Sequence, residues 1–423
     1  MWCHHGYNLS KVEYPLRSRR FPLIRIVLVL AFTYILYNYF SDTSETESIH
    51  PVNPVQIQKT GEFNLQTEVE VKKPKISQTQ PLEETSKVQL LSRQPDQILG
   101  EHLLSVLSSQ KPYRAFYLMV DGSTGRILAW GQQNKFKASA LPTYLPDSSF
   151  PAASLVKIVT AAAALESRRY SNQTLIPYIG RSVTLYRSQL KVPKNYNGRL
   201  TSLEKAFAAS MNPPMGIVGL KLGGNTLKKT AEKLGFNRDY ADGIPARSNF
   251  NPPDRGFGVA EAASGFTTDV TISPLLAAAI VRSVLQRKAP EIPWSPVVGT
   301  EYAPKTSVGL PLPDLTENTY YGLNRMFEAT VKKGSTRSIF KNPKVLFPYN
   351  RQRLRIGGKT GTKDGVDGRY QWFAGFAKDQ KDPKKSIILV CLHVNELKGT
   401  RASPPAQAAG LLINHWAKKY LKW

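Results

Sequence analysis

An α+β fold is predicted by three features of the sequence: strand-like segments lie early, others lie late, and the region between them is helical. Early, "AFYLMVDGSTGRILAWG" reads as strand, turn, strand, because alternating apolar residues flank the Gly/Asp/Ser-rich "DGSTG". Late, two β runs around "KTGT" and "QWFAGFAKD" precede the apolar strand "KSIILVCLHVNE". Early and late strands then join in one antiparallel sheet, and an all-helical subdomain fills the interval.

The helices follow in order. "FPAASLVKIVTAAAALE" carries an alanine-rich run from Leu155 to Glu166, strongly helical by propensity. "SLEKAFAAS" and "TLKKTAEKLG" are further helices, the second with "LG" as its stop signal. In "VTISPLLAAAIVRSVLQR" Pro274 is tolerated because it falls in the first turn. "GLNRMFEATVKKGS" adds one more, and "PPAQAAGLLINHWAKKYLKW" closes the chain with an amphipathic helix expected to pack on the sheet.

Ahead of this domain the composition changes. Residues 21–40 form a largely apolar run in which Arg25 is the one charge, long enough to cross a bilayer core, with Arg17, Arg19 and Arg20 before them and Asp42, Glu45 and Glu47 after. This asymmetry predicts an uncleaved signal anchor with residues 1–20 in the cytoplasm. No small-x-small cleavage site follows. Residues 41–112 are rich in Pro, Gln, Thr, Ser and Glu and read as a flexible extracytoplasmic linker, with a short helix allowed near "PDQILGEHLLSVLSS". Such a linker of ~70 residues has a typical end-to-end distance of roughly 45 Å. The folded domain is expected over 113–423.

The formal net charge of +26 arises from lysines and arginines scattered through "KVPK", "VKKGSTR", "RQRLR" and "KDQKDPKK" rather than gathered in an arm. With the chain placed outside the membrane, nucleic acid is excluded as a partner. The two cysteines cannot pair, Cys3 being cytoplasmic and Cys391 lying in an apolar strand. No histidine or cysteine spacing suggests a metal, and no cofactor is expected.

Ser-x-x-Lys occurs five times, beginning at Ser108, Ser154, Ser188, Ser202 and Ser338, so the motif alone says little. Ser154 differs in preceding a long apolar helix body. There, residues three apart share a face, and Lys157 can direct its amine at the Ser154 hydroxyl. Amides at a helix start also favour a developing negative charge. Ser210-Met211-Asn212 is the one Ser-x-Asn in the chain, and Lys359-Thr360-Gly361-Thr362 stands between "RIGG" and "KDG". A second Lys-Thr-Gly, Lys59-Thr60-Gly61, falls in the linker. Three motifs in this order are far more specific than any one.

From about Ala115 onward the chain resembles the transpeptidase domain of penicillin-binding proteins, penicillin-recognising serine acyltransferases with a β-lactamase/transpeptidase-like fold. "VDGSTGRILAW" is similar to that family's opening hairpin, "GGKTGT…QWFAGFAKD" to its closing strands, and "GLNRMFEATVKKGST" to the helix and turn upstream of them. The resemblance implies that Ser154 is the nucleophile and Lys157 its base, the lysine losing its proton through burial and a nearby Lys359⁺. It also implies that Ser210 relays a proton to the leaving amine and that Asn212 holds the substrate's peptide carbonyl. Lys359 would supply positive potential, while Thr360 and Thr362, with Gly361 allowing close approach, bind the substrate carboxylate. The amides of Ser154 and Thr362 would form the oxyanion hole.

The implied activity is D,D-transpeptidation of peptidoglycan stem peptides ending in D-Ala-D-Ala, with β-lactams as mimics that acylate Ser154. Implied too are a bacterial inner membrane, a catalytic domain on its outer, periplasmic face, and a separate glycosyltransferase to polymerise glycan. Three departures bear on substrate preference: Leu155-Val156 replaces the usual Thr-Phe, Pro213 and Pro214 follow the Ser-x-Asn motif, and "AEAASGFTTD" replaces a Gly-Gln-Gly element. A D,D-carboxypeptidase, a class D-like β-lactamase and a non-turnover β-lactam sensor share the acylation residues and stay open as alternatives.

Overall fold

A six-stranded antiparallel sheet organises the domain, and its strand order mixes the two ends of the chain. The computed structural model describes residues 88–89, 96–134, 148–239, 248–295, 308–309, 313–399 and 402–422. The strands of this sheet are β1 (Val88–Gln89), β2 (Arg114–Asp121), β3 (Ile127–Asn134), β4 (Leu354–Gly365), β5 (Gly368–Asp379) and β6 (Ser386–Asn395). They lie in the order β1-β3-β2-β6-β5-β4, all neighbours antiparallel. The late strands β4 to β6 form a meander that meets the early hairpin where β6 pairs β2, with Cys391 opposite Tyr117. The predicted fold class is therefore realised, with β4 at one edge.

Alternation along β2 sorts the core into two layers. Phe116, Leu118 and Val120 face the helical subdomain, while Ala115, Tyr117 and Met119 face a second cluster on the opposite side. That second cluster is made by two helices from opposite ends of the domain, α1 (Gln97–Gln110) and the terminal helix α11 (Pro405–Tyr420). Trp416 of α11 is buried there, as expected of an amphipathic closing helix. Cys391 is a buried core residue whose thiol is pushed up by burial.

Helix α1 corrects the linker assignment. Leu99, Leu103 and Leu107, spaced four apart, are fully buried against the sheet. Gly131 of β3 accommodates them, since a Cβ there would come within 2.9 Å of Leu103. Asp96 caps the helix by accepting the Leu99 amide, and it also accepts from Lys419 Nζ at 2.5 Å and the Tyr420 hydroxyl at 2.6 Å. With β1 paired to β3 at Val88–Gln89, the folded domain thus reaches back past α1 to at least residue 88, ahead of the expected start at 113.

On the other face lies the helical subdomain: α2 (Lys157–Glu166), α3 (Leu203–Ala208), α4 (Asn212–Leu222), α5 (Gly224–Lys233), α6 (Phe257–Ser264), α7 (Pro274–Gln286) and α8 (Glu317–Lys332). The shorter α9 (Arg337–Lys341) and α10 (Pro348–Arg353) lead into β4. Helix α2 is buried on every side from Lys157 to Ala164, and its alanines let neighbouring helices approach closely. Ser273 caps α7 ahead of Pro274, matching the predicted first-turn proline. Among the described residues no helix is long and apolar enough to cross a membrane. The expected anchor at 21–40, Cys3 and the Lys59 motif lie outside the described residues.

Candidate active site

Ser154 sits in a single 3₁₀ turn, Ala153–Val156, that leads directly into α2. The turn is held from three directions. Ala152 N–H donates to the Val270 carbonyl at 2.9 Å, Trp372 Nε1 donates to the Pro151 carbonyl at 2.9 Å, and Gly361 of β4 passes so close that a Cβ there would lie 3.2 Å from that of Ala153. Ala153 adopts φ 49°, the left-handed region, which a non-glycine residue holds only when its surroundings fix it. Gly265, at φ 71°, is obligatory beside it, because a Cβ there would meet the Ala153 carbonyl oxygen at 2.0 Å.

The Lys157 ammonium position is fully buried and contacts three oxygens: Ser154 Oγ at 2.6 Å, Asn212 Oδ1 at 2.8 Å and the Ser264 carbonyl at 2.5 Å. The Asn212 amide orientation is fixed because its Nδ2 donates to the Val183 carbonyl at 2.8 Å. Two of the three partners can therefore only accept. A neutral lysine amine has two hydrogens and one lone pair. In that form its hydrogens would go to Asn212 and Ser264, and its lone pair would be free to accept the Ser154 proton. Burial, then the charge of Lys359, holds the Lys157 pKa well below the ordinary lysine range. Among the described residues no carboxylate pairs with either lysine.

The second and third motifs meet each other. Lys359 Nζ, also fully buried, donates to Ser210 Oγ at 2.9 Å and to the Thr360 carbonyl at 2.8 Å, and lies 5.5 Å above the Phe207 ring. Burial lowers its pKa to about 7. Ser210 is another left-handed residue, at φ 55°. Met211 follows as the N-cap of α4, so Pro213 and Pro214 occupy its first turn and start the helix instead of distorting the loop.

One face of β4 serves all three walls of the site. Residues two apart on a strand share a face, and here Lys359 meets Ser210, Gly361 meets the Ser154 turn, and Lys363 Nζ donates to the Phe266 carbonyl at 2.8 Å. Thr360 and Thr362 alternate outward: Thr362 is exposed and Thr360 Oγ1 lies 2.9 Å from Ser335 Oγ. All eight residues expected from the motifs thus belong to one locality. The other Ser-x-x-Lys serines do not: Ser108 ends α1, Ser202 caps α3, Ser188 lies in a separate 3₁₀ turn and Ser338 lies in α9.

Sequence reasoning missed Ser264, whose contribution is a backbone carbonyl, together with Ser335 and Lys363. In addition to the substrate-holding role expected of it, Asn212 accepts from Lys157 through Oδ1.

The chain as a whole is similar to known proteins. Two curated relatives, each a peptidoglycan D,D-transpeptidase PbpA, from Mycobacterium tuberculosis strains CDC 1551 and H37Rv, are 25% identical over 297 residues, covering 64% of this chain and 56% of theirs. The chain therefore spans little more than half the length of those relatives. Among solved structures, penicillin-binding protein A from M. tuberculosis superposes with a TM-score of 0.53 at 18% identity, covering 75% of this chain and 79% of that one. Its ceftriaxone acyl-enzyme complex gives 0.55 at 18% identity, covering 76% and 78%. At such identity the likeness establishes the fold. The family model for the penicillin binding protein transpeptidase domain matches residues 115–410, well over half of the 423, and the chain belongs to that family.

Proposed function

We propose that this chain is a serine D,D-transpeptidase of peptidoglycan. It forms an acyl-enzyme on Ser154 from stem peptides ending in D-Ala-D-Ala and is acylated there by β-lactams. The observation that carries the reading is the fully buried Lys157 Nζ lying 2.6 Å from Ser154 Oγ, its pKa held well below the ordinary lysine range by burial and then by Lys359. Family membership and the gathering of the three motifs support it.

In the proposed first step Lys157 Nζ takes the Ser154 proton as Oγ bonds to the penultimate D-Ala carbonyl carbon. The developing oxyanion lies between the amides of Ser154 and Thr362; such a donor is worth ~3 kcal/mol of barrier. Ser210, hydrogen-bonded to Lys359, passes a proton to the departing D-alanine nitrogen and regains one from protonated Lys157, so the C–N bond breaks and both groups return to their starting state. An amine from a second stem peptide then attacks the ester and releases Ser154, leaving a cross-link. Thr360 and Thr362, with Ser335 beside them, present hydroxyls to the terminal carboxylate, and Gly361 keeps the strand backbone approachable. A substrate segment in extended form can lie along the open edge of β4.

We place the domain on the outer face of a bacterial inner membrane, held by residues 21–40, where a separate glycosyltransferase supplies the glycan. The basic composition suits a polymer bearing carboxylates.

The test is labelling with a fluorescent penicillin. Wild type and Ser108→Ala are expected to label equally, and Ser154→Ala and Lys157→Ala only to background; label surviving in Ser154→Ala ends the assignment. Digests of treated sacculi then separate outcomes, since stem-peptide dimers mark transpeptidation and trimmed monomers a carboxypeptidase.

A further inference from the structure

The geometry points to Lys363 as a positioning residue for Lys157, acting through the loop that carries the Ser264 carbonyl. This inference deepens the acylation chemistry proposed above and rests on it. The segment Ser264–Phe266 leaves the end of α6 and crosses the site beside the Ser154 turn. Its first residue accepts from Lys157 Nζ at 2.5 Å, its second packs against the Ala153 carbonyl, and its third is held by Lys363.

The hold is double. Lys363 Nζ donates to the Phe266 carbonyl at 2.8 Å and stands 5.1 Å from the centroid of the same ring. The carboxylate adjacent in sequence, Asp364, is occupied by Arg369 at 2.6 Å, so the Lys363 ammonium is directed across β4 toward the loop. Gly265 makes the loop a weak point. Its left-handed φ of 71° and missing side chain let it fit against Ala153, and they also leave the backbone without side-chain packing of its own. A tether at Phe266 is what keeps the Ser264 carbonyl on the lysine. It comes from the strand that carries Lys359 and Gly361, so one face of β4 sets the positions of both lysines and of the nucleophile.

The consequence for chemistry is specific. With the loop held, two acceptors take the Lys157 hydrogens and water is excluded. With the loop released, the amine can turn, and water reaches it and stabilises its charged form. The ionisable group acting on Lys157 by charge is Lys359; its other neighbours, Ser154, Asn212 and the Ser264 carbonyl, are neutral.

The full chain is compared with its Lys363→Met and Lys363→Arg variants by two measurements. The first is the second-order rate of acylation by a fluorescent penicillin across pH. The second is the titration of Lys157 in the unacylated protein, followed by its ¹³Cε resonance and assigned with Lys157→Arg. Lys363→Met is expected to slow acylation about tenfold at pH 7 and to move both the rate profile and the Lys157 titration to higher pH by about one unit. Lys363→Arg is expected to restore both. An unchanged profile and titration, or a loss parallel at every pH that arginine does not rescue, overturns the inference. If the wild type takes no label at Ser154, the proposed activity fails by itself; the titration then decides the positioning role alone, a shift upholding it and no shift overturning it.

Discussion

Lys157 and Lys359 have no exposed surface, and taking an ammonium out of water is costly unless the proton is shed. Lys359 illustrates the linkage. Its folded pKa is about 7, while the unfolded chain has the ordinary value near 10.4. Between those pH values the unfolded chain holds a proton that the folded chain lacks, so stability rises with pH across that window. Below about pH 7 both states are protonated and the destabilisation is complete, at roughly 4 kcal/mol. Lys359→Met removes this cost but leaves Ser210 Oγ and the Thr360 carbonyl without their donor. A net stabilisation of about 2 kcal/mol is expected at pH 7, fading toward pH 10, as read by urea unfolding. The same change removes the cation that depresses Lys157, so any residual acylation should need higher pH. A variant more stable yet less active is the signature of a strained site; equal or lower stability at pH 7 would show that Lys359 is not held against its charge.

At the scale of elements, α1 gives the clearest test of where the domain begins. A chain starting at Asp96 retains Leu99, Leu103 and Leu107, the Asp96 contacts to α11 and the stacked pair His102–His415, with ring centroids 3.8 Å apart. A chain starting at Tyr113 loses them all and uncovers the α11 side of the sheet. It is expected to be less stable by at least about 2 kcal/mol; equal melting temperatures would mean that α1 is an ornament.

The same helix shows how legibility works. Ser-x-x-Lys, Ser-x-Asn and Lys-Thr-Gly could be read because each is a local motif beside an element with its own signature: an alanine-rich helix, the end of a short helix, a glycine-bracketed strand. Helix α1 was half-read because its leucines are diluted by Gln, Ser and His, and burial by distant α11 supplies what local propensity does not. The Ser264 carbonyl was illegible because a backbone oxygen carries no residue identity. Its one trace was the departure in "AEAASGFTTD", where Gly265 hinted at a close approach.

For the molecule as a whole, the site is a product of long-range closure. Ser154 and Lys157 come from the start of the helical subdomain, Asn212 and Ser264 from its middle, and Lys359 from a late strand that reaches them because β6 pairs with β2. No segment holds all three motifs, which meet only where the helical subdomain packs against the sheet. The central claim is that Lys157 is uncharged in the resting protein and activates Ser154. The most direct measurement is the rate of β-lactam acylation across pH, with peptide mapping of the adduct. The adduct is predicted on the peptide bearing Ser154, at a rate that levels off well below the ordinary lysine pKa. An adduct on another residue, or a rate that keeps climbing to pH values near 10.4, would contradict the account.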